Sequence, residues 1–219
     1  MKEIIKQERK KLKDLTFKQK LEYIWDYYKP IMAGIIGIIV IISVVVSIVR
    51  GSQIETELNV AFINSYVYDD DVAALYEGFL EYSGLNGAKQ RVDFDTTYSL
   101  STENENQATM ANQMKISAVI AAQSLDVMIM PKDIYQNYLI MGAYQDLNQA
   151  MDSEFMQEHR ELWQMDKQED DTAEKVYALK LKENHKLGKV YEGQEVYVAV
   201  VTNTTKEENA VAFLKYLLS

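Results

Sequence analysis

Nineteen residues without a charge, from Ile31 to Val49 (IMAGIIGIIVIISVVVSIV), constrain this chain more than any other feature. At 1.5 Å per residue a helix of that length rises about 28 Å, close to the hydrocarbon thickness of a bilayer. Isoleucine and valine favour strands by propensity. A lone segment in lipid must satisfy its backbone internally, however, so the stretch predicts a transmembrane helix over 31–49. Trp25, Tyr27 and Tyr28, with Lys29 before the run and Arg50 after it, stand where membrane-interface residues belong.

Charge sets the expected orientation. Residues 1–30 carry nine Lys/Arg against five Asp/Glu, whereas residues 51–219 carry 13 against 28. The positive-inside rule then places the N-terminus in the cytoplasm and the acidic bulk outside the cell membrane. The apolar run is longer than a signal-peptide core, and SIVRGSQ after it offers no small-residue cleavage site, so an uncleaved signal anchor is expected. The chain has no cysteine, which excludes disulfides, thiol catalysis and lipidation at a cysteine.

Four segments follow from this: a cytoplasmic basic segment (1–30), the span (31–49), a linker (50–56) and an extracytoplasmic domain (57–219). In the first, Phe17, Leu21, Ile24, Trp25 and Tyr28 share one helical stripe flanked by lysines. That pattern fits a helix on anionic lipid that turns at Pro30 into the bilayer, or one docked on a cytoplasmic partner. The basic patch is too short for a nucleic-acid site, so no nucleic-acid partner is expected.

In the outer domain ELNVAFI (57–63), QRVDF (90–94), LDVMIM (125–130), KVYALKL (175–181) and EVYVAVV (195–201) read as strands. Helices are expected over 69–82, 103–123, 133–141, 154–163 and 206–218. Val72, Leu75, Tyr76 and Phe79 form the inward stripe of the first, and Met110, Met114, Ala118 and Ala121 share one side of the second. Strands alternating with helices predict a single α/β domain with a mostly parallel sheet flanked by helices.

Chemical motifs are scarce. GLNGAKQ (84–90) lacks the spacing of a phosphate loop and reads as a turn. His159 and His185 stand alone in charged segments and read as solvated. Asp69, Asp70 and Asp71 suit a helix N-terminus better than a calcium loop. QEDDTAEK (168–175) reads as a solvated turn, and Asn203–Thr205 is formally a glycosylation sequon. No catalytic residue, metal site or cofactor is expected. Tyrosine is in excess, 15 of 219 residues. Tyr66, Tyr68, Tyr98, Tyr144 and Tyr191 fall in loops or at strand ends, where open α/β sheets bind ligands, and are the candidate ligand- or partner-binding residues.

Three stretches resemble bacterial extracellular solute-binding proteins: MANQMKISAVIAAQSLDVMIM, MGAYQDLNQAM and EVYVAVVTNTTKEENAVAFLKYLLS. The resemblance implies a reduced, membrane-anchored relative from a Gram-positive bacterium, associated with an ABC transporter. With the anchor it implies a non-catalytic accessory subunit, its partners the lipid bilayer and a membrane protein such as a transporter permease. A module delivering a small solute or peptide to a transporter, and a cell-surface enzyme, remain the alternatives.

Overall fold

The computed structural model describes residues 16–51, 55–66, 69–85, 89–101, 107–182 and 185–219. The chain divides into two compact units, Met1–Gln53 and Ile54–Ser219.

The described residues of the first unit form a continuous helix, α1 (Phe17–Gly51), which runs through Pro30 without the expected turn. Its side chains from 33 to 47 are exposed, as are Trp25 and Lys29. The side chains of Tyr27, Tyr28 and Arg50 lie outside the described set. Among the described residues no helix is long and apolar enough to cross a membrane. The expected transmembrane signal anchor over 31–49 is therefore not found. The single-pass placement, cytoplasmic N-terminus and extracellular domain that depended on it fall with it.

The second unit is a six-stranded sheet between two helical layers. Its elements are β1 (Glu55–Ile63), α2 (Asp69–Ser83), β2 (Gln90–Tyr98), α3 (Gln107–Ala121), β3 (Val127–Met130) and α4 (Lys132–Ile140). There follow two short helices, α5 (Leu147–Ala150) and α6 (Ser153–Glu158), then β4 (Trp163–Asp166), β5 (Lys175–Leu181), β6 (Val196–Val200) and α7 (Glu207–Leu218). The strand order is β2-β1-β3-β6-β5-β4.

This sheet is mixed, not mostly parallel. β1 pairs in parallel with β2 and β3, but β6 is antiparallel to both β3 and β5, and β4 is antiparallel to β5. The cause lies in the connections. Helices α2 and α3 carry the chain back between β1, β2 and β3, as parallel strands require. Among the described residues no crossover helix lies between β4 and β5 or between β5 and β6, and these strands turn back on their neighbours.

Alternation along the strands divides the core in two. Leu58, Val60, Phe62, Ile129 and Val198 face α2 and α7, where Leu75, Phe79, Phe213 and Leu217 cover them. Ala61, Ile63, Met128, Met130 and Ala199 face α3 and α4, where Ile116, Ile134 and Tyr138 cover them. β6 is buried at every position, in keeping with its unbroken apolar run VYVAV. At the amino ends of the parallel strands Asp126 is buried but satisfied. It accepts the Asn59 N–H at 2.8 Å and the Thr204 hydroxyl.

Candidate binding cleft

After β1 the chain passes to α2 on one face of the sheet, and after β3 it passes to α4 on the other. Such a divergence opens a crevice at the carboxyl ends of two neighbouring strands, the usual ligand site of open α/β sheets. Here Tyr191 fills it. The residue is fully buried, and its hydroxyl lies 3.1 Å from the Ile63 carbonyl and 2.9 Å from that of Ile129. Burial pushes its phenol well above the usual range.

Among the described residues the other candidate tyrosines do not converge on one pocket. Tyr66 is exposed near this end, its N–H bonded to the Val190 carbonyl and its hydroxyl accepting from Gln194 at 3.2 Å. Tyr98 is buried at the end of β2, with Lys115 4.2 Å from its ring centroid. Tyr144 is buried at the opposite end of the sheet, bridged to Val201 and stacked on Tyr135 with ring centroids 5.2 Å apart. Tyr68 lies outside the described residues.

An open cleft lies elsewhere, between α3 and α4. It encloses about 660 Å³. Its walls carry Met110 and Met114 from α3, and Ile134, Tyr138, Ile140 and Met141 from α4 and the residue after it. Seven large apolar side chains are exposed among the described residues of 54–219, and four of them (Met110, Met114, Ile140 and Met141) rim this cleft at 50–74% exposure. The polar groups that line it are amides and hydroxyls, such as Gln113, Asn137 and Ser117, with no charged side chain among the lining residues. Burial and a neighbouring tyrosine push the Tyr138 phenol up to about 12, so it is a neutral hydroxyl there at pH 7. Met110 and Met114 lie four residues apart and Ala118 four further on, so the shared side foreseen in the sequence exists, and it faces solvent.

Ile140 and Met141 also border a second, polar cavity of about 620 Å³. Its wall carries Asp146, Glu169, Asp170 and Asp171 against a single Lys175. The segment 168–175, expected as a solvated turn, is anchored here. Asp171 accepts from Lys175, from the Tyr177 hydroxyl and from the Gln168 N–H, and these donors hold its carboxyl down at about 2. Gly142 makes the bend between the two cavities in the left-handed region, φ +70°, which glycine adopts at least cost.

Two smaller readings change as well. His185 is half-buried, and its Nδ1 accepts the Leu187 N–H at 3.0 Å, so it is not a solvated side chain. The Asn203 amide donates to the Ile120 carbonyl at 2.7 Å, which holds the sequon residue inside the fold. Among the described residues no cluster of His, Cys, Asp or Glu could hold a metal ion.

The fold and cleft define a mixed-sheet α/β domain with an open apolar groove on one helical layer. Compared with family models, curated proteins and solved structures, the chain matches none. The resemblance to membrane-anchored solute-binding proteins is therefore overturned: its anchor is not found and no relative supports it. The accessory subunit of an ABC transporter, which rested on that anchor, falls with it.

Proposed function

We propose that the domain is a non-catalytic binding module whose α3–α4 cleft takes an apolar side chain of a cationic peptide segment. The clustering of Met110, Met114, Ile140 and Met141 around one groove carries this reading. An apolar side chain buried there gains roughly 1.5–3 kcal/mol, set against the entropic cost of association. Methionine is flexible and polarisable and adapts to varied apolar partners. The excess of carboxylates on the adjoining cavity favours a positive group beside the apolar one.

The test is fluorescence anisotropy of the full chain with a labelled twelve-residue peptide of alternating leucine and lysine. A leucine–glutamate peptide of the same length is the control. Saturable binding of the cationic probe, weakened tenfold or more by Met110→Ser with Met114→Ser, supports the reading. Absence of binding, or equal binding by the double variant, overturns it.

A further inference from the structure

The sulfur chemistry of this chain rests on methionine alone, since it has no cysteine. Among the described residues the fold places methionines in the core and at the surface, with Met156 partly buried between the two. Met128 and Met130 are fully buried and Met151 nearly so, whereas Met110, Met114 and Met141 are 50%, 68% and 74% exposed and line opposite walls of one cleft. Met165, on β4, is 53% exposed and lies outside the cleft.

We propose that Met110, Met114 and Met141 are a reversible oxidation site that closes the cleft to its apolar ligand, an inference that rests on the peptide-binding reading. The oxidant is hydrogen peroxide. A thioether sulfur attacks one peroxide oxygen, the S–O bond forms as the O–O bond breaks, sulfur gives up two electrons, and the other oxygen leaves as water after proton transfer. The product, methionine sulfoxide, replaces a flexible apolar group with a strongly polar acceptor. A groove with sulfur on both walls changes character at three points together. Exposure makes these sulfurs accessible to peroxide, while the core methionines are shielded.

The experiment treats the full chain with hydrogen peroxide, maps sulfoxides by peptide mass spectrometry and measures the affinity for the leucine–lysine probe. Oxidation is expected at Met110, Met114, Met141 and Met165, with at least a tenfold loss of affinity that a methionine sulfoxide reductase restores. The combined variant Met110→Leu, Met114→Leu, Met141→Leu, read against its own untreated affinity, is expected to show no loss on the same treatment, whereas Met165→Leu is expected to lose affinity like the unaltered chain. Unchanged affinity with all three cleft methionines oxidised overturns the inference, as does an equal loss in the triple variant. If the untreated protein does not bind the probe, the peptide reading fails first and takes this one with it.

Discussion

The Tyr191 hydroxyl lies 2.9 Å from the carbonyl oxygen of Ile129, and this contact seals the crevice between β1 and β3. Tyr191→Phe leaves buried carbonyls with one donor fewer and is expected to cost about 1–2 kcal/mol. Tyr191→Ala also opens a cavity and should cost about 3–5 kcal/mol. Urea unfolding checks both, through a lower midpoint at constant slope. A neutral Tyr191→Phe would show that the Ile63 and Ile129 carbonyls are satisfied without the hydroxyl.

Asp171 titrates in the fold at about 2, below its ordinary 3.8, because Lys175, Tyr177 and the Gln168 amide favour the carboxylate. A depressed carboxyl contributes stability that is present above 3.8 and is lost as pH falls from there through 2. Asp171→Asn is expected to flatten the acid limb of the stability curve in that window. An unchanged slope there in denaturant titrations would refute the assignment.

His185 behaves in the same direction for a different reason. Burial holds its pKa below the ordinary 6.5, so the unfolded chain binds the proton more readily than the fold does. Its contribution is present above 6.5 and is lost as pH falls below that value. His185→Gln should lower stability at every pH, since the Leu187 N–H loses its acceptor, yet remove part of the slope between neutral and mildly acidic pH.

Gly78 sits in α2 against the Tyr216 hydroxyl of α7, where an added Cβ would collide with that hydroxyl and come within 3.2 Å of the ring carbon bearing it. Glycine-to-alanine in a helix interior ordinarily stabilises by up to about 1 kcal/mol. Here overpacking of about 1–3 kcal/mol outweighs it, and Gly78→Ala is expected to destabilise. The cost should shrink in a Tyr216→Phe background, a coupling that a double-mutant cycle measures directly.

Strands and helices with strong local patterns were legible in the sequence. KVYALKL is β5 at its expected bounds, and ELNVAFI lies within β1. The mixed direction of the sheet was not, because apolar runs such as VYVAV look alike in either direction and only the connections distinguish them. β4 was hidden for another reason: WQMD is four residues long with one buried position, too short for a period to show. The tyrosines did not point to one place, because tyrosine suits a buried plug, as at Tyr191, as well as a ligand face. The proposed cleft had one signal, the spacing of Met110 and Met114, and sequence alone does not say which side of a helix meets water.

β6 joins the two halves of the sheet, yet it comes from the final quarter of the chain. During synthesis β3 and β5 are therefore complete before the strand that separates them has been made, and each presents an unpaired edge to the other and to neighbouring chains. The order of emergence makes the nascent protein most vulnerable to aggregation just before residues 196–200 leave the ribosome. Chaperone protection in the cell should matter most at that stage.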